Sequence, residues 1–323
     1  MDYCVAIRTL GTAGKKYQIL LDSLNRQSFK PKKILVYIPY EYELPKETIG
    51  WEEYVRCNKG MITQRSLPFN EIDTDYILFC DDDISLEETS VERLFKGLLD
   101  NNGDCISPNT FPVNQFSTIG KIKKAIAAYT FPRKDDGWAF KIMRNGSYTY
   151  NNKPKKEVLP TESAAGPCML IKKSAYHAIH FEDERWIEQF GYALGDDLLF
   201  YHKLFIMGYH VLIHYNSGII HLDAGTSSSK LPSDWIKKSI TLSFIVQYRI
   251  KYSLKKNTNV DKCLCIWSNL FRYTEQYLFI FIKQLIKNKR IVFYDFVSGL
   301  RDGFKYVKST SYQNIPSFDA YID

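Results

Sequence analysis

Tyr76-Ile-Leu-Phe-Cys-Asp-Asp-Asp-Ile-Ser85 runs five apolar or aromatic residues straight into three adjacent carboxylates. The apolar part suits a buried parallel strand, which is covered on both faces and so reads as a continuous hydrophobic run. Three neighbouring acids repel one another, and burying them unpaired costs several kcal/mol. A positive group is therefore expected at the end of this strand.

Outward from this stretch the chain alternates between two periods. Residues 3–9, 33–39 (closed by Pro39), a weaker 52–57 and 104–108 read as further strands. Residues 14–28 place Tyr17, Leu20, Leu21 and Leu24 at helical spacing, and residues 60–71 read as helical. Residues 89–99 put Val91, Leu94, Phe95, Leu98 and Leu99 on one helix face. Strands alternating with helices at this spacing predict an α/β protein with a mostly parallel sheet flanked by helices. Residues 132–160, rich in Pro, Lys, Asn and Gly, read as an exposed excursion. Regular structure returns at 164–171, 195–207, 209–213 and 217–222, and 223–230 (DAGTSSSK) has the composition of a flexible connector. Two amphipathic helices are expected beyond it. One groups Leu270, Thr274, Leu278, Phe281 and Leu285, the other Val292, Phe296, Leu300, Phe304 and Val307. Such faces suit packing on the body, on each other or on a membrane surface.

Composition narrows the class. With 323 residues, 45% hydrophobic and 24% charged, the chain is ordinary globular material rather than disordered. The charge is uneven. Residues 230–323 hold 16 Lys and Arg against 7 Asp and Glu, whereas residues 1–229 hold 27 against 29. A near-neutral body, taken as residues 1–230, thus carries a basic helical extension, residues 231–323, fitted to anionic lipid or a polyanionic substrate, or simply solvated. Its aromatics sit at core spacing with no recognisable nucleic-acid module, so no nucleic-acid partner is expected. Seven cysteines without a C-x-x-C pair, most of them within apolar runs, suit reduced buried thiols. The opening MDYCVAIRTL lacks the pattern of a secretory signal, and no apolar run approaches the ~18 residues of a membrane span. A cytoplasmic protein is expected, with peripheral contact at the inner face of the cell membrane through the C-terminal helices.

Three places carry residues suited to chemistry. Ligands of open parallel sheets gather beyond the carboxyl ends of strands, where Asp81-Asp82-Asp83 stands. In extended chain Asp81 and Asp83 point the same way and suit a hard divalent cation holding phosphate oxygens. Helix capping is the alternative, although one Asp would suffice for that. Asp196-Asp197 follows Gly195 at the start of a helix, either as caps or with one acid as a general base. His221 ends an apolar strand, either as a structural residue or as a nitrogen donor completing a manganese site.

With these residues in hand, the chain resembles the family 2 inverting glycosyltransferases of the GT-A fold. The resemblance runs over roughly residues 3–230 and rests on four blocks in order. These are VAIRTLGTAGKKYQILLDSLNRQSFKPKKILVYI, GMITQRSLPFNEIDTDYILFCDDDI with its D-x-D, AAGPCMLIKKSAY followed by GDDLLFYHKLFIMGY, and IIHL. It implies a nucleotide-sugar donor, a UDP-sugar foremost, and a glycan or lipid-linked acceptor in surface polysaccharide synthesis. It implies Mn2+ or Mg2+ on the donor diphosphate, held by Asp83 with Asp81 and His221. Asp81 would also contact the donor's sugar or ribose, and Asp82, Thr9, Gln64 and Arg65 would line the donor site. Asp197 would be the catalytic base, with Asp196 supporting it or acting in its place. Two departures stand out. The second strand is not followed by the usual base-reading Asp, which leaves Glu41 as its substitute, and GDD stands where GED is common. Two other readings compete: a sugar nucleotidyltransferase, for which Gly11, Gly14, Lys15 and Lys16 form only a thin phosphate-binding loop, and a non-catalytic glycan- or membrane-binding relative.

Overall fold

The computed structural model describes residues 2–110, 137–144, 146, 148–191, 195–222, 234–252, 254, 258–287 and 290–322. The apolar runs assemble into one mixed, mostly parallel eight-stranded sheet. Its strands are β1 (Tyr3–Arg8), β2 (Lys33–Pro39), β3 (Glu53–Cys57), β4 (Tyr76–Asp81), β6 (Cys105–Pro108), β7 (Val158–Pro160), β8 (Cys168–Lys172) and β9 (Val211–His214), in the order β3-β2-β1-β4-β8-β6-β9-β7. The pairs among β3, β2, β1 and β4 are parallel, as is β6 with β9, whereas β8 runs antiparallel between β4 and β6 and β7 is antiparallel to β9. A second small sheet pairs β5 (Ile84–Leu86) with β10 (Ile219–His221).

The central strands are apolar throughout because both faces are covered. Alternate side chains of β1 enter different cores: Tyr3, Val5 and Ile7 meet Leu20, Leu21 and Leu24 of helix α1 (Lys15–Asn25) and Leu94, Phe95 and Leu98 of α3 (Ser90–Asp100). Cys4 and Ala6 join Phe79, Tyr176 and Phe200 on the other side, under α4 (Lys173–Ala178), a 3₁₀ helix (Phe181–Phe190) and α5 (Asp196–Ile206). Truncating one such ring, as in Phe79→Ala, costs about 3–5 kcal/mol. Cys4, Cys57, Cys80, Cys105 and Cys168 are buried in these layers; Cys265 is buried near the C-terminal end of the chain, whereas Cys263 is exposed.

The structure departs from the sequence reading at several places. Helix α2 spans only Met61–Arg65, not 60–71, because the chain breaks at Pro68 and Phe69 adopts a left-handed φ of 46°. Leu99 is exposed, since it lies one helical step off the face set by Leu94, Phe95 and Leu98. The excursion expected over 132–160 contains core: Ala139, Phe140 and Ile142 are buried and β7 closes the edge of the sheet. A few docked apolar side chains suffice there, and the polar residues between them dominated the composition. Residues 111–136, the 223–230 connector and the 230/231 boundary lie outside the described residues.

Among the described residues, three long helices, not two, lie toward the end of the chain: α6 (Trp235–Tyr252), α7 (Asn259–Lys287) and α8 (Arg290–Val307), before the short α9 (Thr310–Gln313). The unforeseen α6 puts Leu242, Val246 and Ile250 into the body's own core while Ile245 faces another cluster, so no single apolar stripe marks it. Helix α8 approaches it through Gly299 and Gly303, where an added Cβ would lie 2.7 Å from Lys237 O and 2.9 Å from Phe244 Cδ1. Arg249 of α6 pins the extension to the body. Its Nε and Nη2 donate to the Glu184 carboxylate at 3.1 and 2.7 Å, and both side chains are buried. Among the described residues, no helix is long and apolar enough to cross a membrane.

Candidate functional site

The pairing of β1 with β4 sets Arg8 opposite Asp81, and Arg8 Nη2 donates to Asp81 Oδ1 at 2.7 Å. This guanidinium is the positive group that the three acids called for. The chain then turns at Asp82 and Asp83, so the extended alternation that would aim Asp81 and Asp83 together ends at Asp81. Asp82 accepts a hydrogen bond from Thr9 Oγ1. Burial, with Asp81 and Asp83 on either side, pushes Asp82 up to about 6 against the pull of the Thr9 hydroxyl. Thr9 is fixed in turn by its N–H on Tyr37 O and by the Gly11 N–H on its hydroxyl.

Asp83 meets His221 through the β5–β10 pairing, which sets His221 opposite Ile84 and lets Leu222 N donate to Asp83 O at 2.8 Å. The His221 Nε2 lies 3.1 Å from Asp83 Oδ2. Two of the three expected metal ligands are thus side by side. The third, Asp81, is engaged by Arg8, and among the described residues no group of three or more His, Cys, Asp or Glu is arranged to hold a metal. The donor set still fits a manganese-type cation: a carboxylate oxygen and an imidazole nitrogen share one cavity wall with a further carboxylate, and such cations complete their shell with phosphate oxygens.

These residues line one cavity of about 870 Å³ at the carboxyl ends of β1 and β4, within the size range of ligand sites. Arg8, Thr9, Lys16, Lys59, Gln64, Arg65, the three aspartates, Glu188 and His221 all face it. Gln64 also donates to Tyr37 O at 3.4 Å, tying α2 to the end of β2. Arg8 and Arg65 each keep a buried Nε that lacks a hydrogen-bond partner among the described residues. Glu41 does not join them: it is exposed and outside the cavity wall.

Arg65 links this cavity to the second acidic pair, which lies behind it. Its Nη1 donates to Asp197 Oδ1 and stands 2.8 Å from Asp196 Oδ2, an ion-pair contact off hydrogen-bond geometry. Neither acid caps α5, whose N-cap Gly195 has a left-handed φ of 90° and no side-chain cap. The two differ in access, with side-chain exposures of 35% for Asp197 and 7% for Asp196. Burial pushes Asp196 up to about 7, with Arg65 opposing and Asp197 reinforcing. Burial works against the Arg65 charge, but Asp196, Asp197 and Asp81 outweigh it and hold Arg65 above the ordinary arginine value. Asp197 also accepts from Gly166 N at 3.0 Å, and an added Cβ at Gly166 would stand 2.6 Å from Asp197 Cγ. Glycine is required there by close approach.

Sequence reasoning passed over Arg8, Lys59, Gly166 and Glu188. Arg8 was detectable as the last residue of a buried strand, next to Thr9. Glu188 carries no local signal: it reaches the cavity because Thr63 N and Oγ1 donate to its carboxylate across 125 positions.

No family model matches the chain, and no curated protein matches it by sequence. Among solved structures it is similar to one titled "Crystal structure of GalNAc-T7 with UDP, GalNAc and Mn2+", with a TM-score of 0.48 and 12% identity. That alignment covers 78% of this chain and 50% of the other, so the chain spans half the length of that neighbour.

Proposed function

We propose that this protein is a metal-dependent, inverting glycosyltransferase of the GT-A kind, moving a sugar from a nucleotide-sugar donor to an acceptor hydroxyl. One observation carries the reading: Asp81, Asp82, Asp83 and His221 share a single cavity with Arg8, Lys16, Lys59 and Arg65 at the carboxyl end of the sheet. Carboxylate and imidazole donors beside four basic side chains suit a cation–diphosphate complex. The four sequence blocks that resemble family 2 enzymes support the same conclusion, with a UDP-sugar as donor and a glycan or lipid-linked acceptor in surface polysaccharide synthesis.

Asp83 and His221 would hold the metal, with Asp81 beside them. When bound, Mn2+ or Mg2+ supplies Lewis-acid neutralisation of the diphosphate. Arg8 holds the Asp81 carboxylate in place, and Lys16 and Lys59 offer positive charge for the departing nucleoside diphosphate. Thr9 anchors Asp82 and Gln64 braces the donor wall. Asp197, the more accessible acid of its pair, would take the acceptor hydroxyl proton. That oxygen then bonds to the anomeric carbon from the face opposite the leaving group, and the electron pair of the broken carbon–oxygen bond leaves with the diphosphate. Gly166 N and Arg65 orient the Asp197 carboxylate, and buried Asp196 fixes Arg65.

Calorimetry with a panel of nucleoside diphosphates and nucleotide sugars, with and without Mn2+, tests the donor site. The expected result is Mn2+-dependent binding of one nucleotide, weakened at least about tenfold in Asp83→Ala, a loss of about 1.4 kcal/mol. No binding under any condition would overturn the reading, and release of pyrophosphate in place of nucleoside diphosphate would replace it with nucleotidyl transfer.

A further inference from the structure

Helix α7 is 29 residues long, about 44 Å at the helical rise. Its sequence-predicted apolar stripe does not pack on the body. Of that stripe Leu285 is 71% exposed, Leu270 56% and Leu278 51%, with Phe281 on the same side, and Trp267, 73% exposed, and Leu264 extend it. Spacings of three and four residues keep all six on one face about a third of the helix wide. The opposite side carries Cys265, which is buried, and Tyr273, whose hydroxyl donates to Gln247 Oε1 of α6 at 3.0 Å. An exposed apolar strip this long marks an interaction surface rather than ordinary scatter.

Charge selects the occupant. From 251 to 290 the chain holds nine Lys or Arg and two acids, Asp261 and Glu275. A second copy docking by two-fold symmetry would set two such basic segments against each other. An anionic bilayer surface offers opposite charge to the basic residues and apolar depth to Trp267 and the leucines. The helix cannot cross a membrane, so the geometry it can adopt is lying in the interface.

We infer that α7 is a docking surface that seats this protein on an anionic lipid bilayer. The docking itself does not rest on the transfer reaction, and its test reads binding alone.

The test is co-sedimentation of the full chain with vesicles of phosphatidylcholine alone or with about a third phosphatidylglycerol, in low and high salt. Wild type is expected to partition onto the anionic vesicles, far less onto the neutral ones, and to weaken with salt. Trp267→Glu/Leu278→Glu should lower the partition coefficient at least about tenfold, because two apolar anchors become carboxylates that the surface repels. Both side chains are exposed, so the variant should keep the wild-type circular dichroism and melting temperature. No anionic-vesicle binding by wild type, or equal binding by the folded variant, would overturn the inference. So would a concentration-dependent dimer in light scattering that the variant abolishes, which would assign the face to a second copy.

Discussion

Replacing Arg249 by Met breaks a buried ion pair between the C-terminal helices and the body. Arg249 makes two hydrogen bonds to Glu184, at 3.1 and 2.7 Å, with side-chain exposures of 1% and 0%. Removing one partner of a buried pair costs about 3–5 kcal/mol, because the other charge stays in low dielectric. Glu184 keeps Trp186 Nε1 at 2.7 Å and Lys203 Nζ at 3.8 Å, which places the expected loss near the lower end, about 3 kcal/mol. At about 2 °C per kcal/mol for a chain of this size, the melting temperature should fall by roughly 6 °C. Glu184→Gln should cost a similar amount. The double variant should cost clearly less than the sum, by at least about 1 kcal/mol, since neither charge is then left alone. Lys203 retains Asp183 at 3.3 Å and His180 O at 3.1 Å in that variant. Burial alone would raise Glu184, yet the Arg249 charge and hydrogen bonds, with Lys203 and Trp186, hold it below the ordinary value. The pair's stabilisation is therefore present above the unfolded glutamate value of about 4.3 and lost as pH falls through the lower folded value. In Arg249→Met burial prevails and Glu184 rises, so the variant recovers by taking up a proton. The gap between wild type and variant should narrow as pH drops from 7 toward 4. Thermal unfolding by circular dichroism across that range measures all of this. A loss under about 1 kcal/mol, additive single effects, or a gap that widens in acid would refute the reasoning.

Other variants address the site. In Gly166→Ala the new Cβ would sit 2.6 Å from Asp197 Cγ, against an ordinary carbon contact of about 3.5 Å, so the carboxylate must retreat by about 1 Å. A displacement of that size should cost on the order of 10²-fold in turnover; the same Cβ would stand 2.8 Å from Arg65 Nη2, so nucleotide affinity should fall too, but by less, and unchanged turnover would remove Asp197 from the chemistry. Asp197→Asn should retain Mn2+-dependent nucleotide binding and abolish transfer, whereas full transfer activity in that variant would shift the base elsewhere. Asp196→Asn should act through Arg65, lowering turnover less and also lowering the melting temperature; a purely catalytic effect would contradict its buried position. Arg8→Met leaves Asp81 without its partner and removes a cation from the cavity, so nucleotide affinity should fall about tenfold by calorimetry, and no change would exclude Arg8 from the donor site.

The fold was largely legible because burial leaves a local imprint. Strands 33–39 and 76–81 have apolar runs bounded by Pro39 and by the aspartates, and their edges match those runs within a residue. The same logic flagged Asp81, Asp82, Asp83 and His221, which directly follow apolar strands, while Asp196 and Asp197 were marked by their place at a helix start after Gly195. It failed where no period existed. Helix α6 buries residues on more than one side, and the short strand at 84–86 is recognisable only through its pairing with 219–221.

What each acid touches was decided by tertiary structure. Sequence placed three aspartates at the end of a strand, but the parallel register of β1 and β4 chose Arg8 for Asp81, and the β5–β10 pairing chose His221 for Asp83. Arg65 reaches Asp197 across 132 positions, and Gly166 supplies the backbone donor that steadies it. Sequence likewise drew the apolar stripe of α7, and only the packed chain left that stripe facing outward. The physical reason is the same in each case. Hydrophobic period reports whether a residue is covered, a local average that any stable packing satisfies, whereas the identity of a partner depends on register and chain path between segments far apart in sequence.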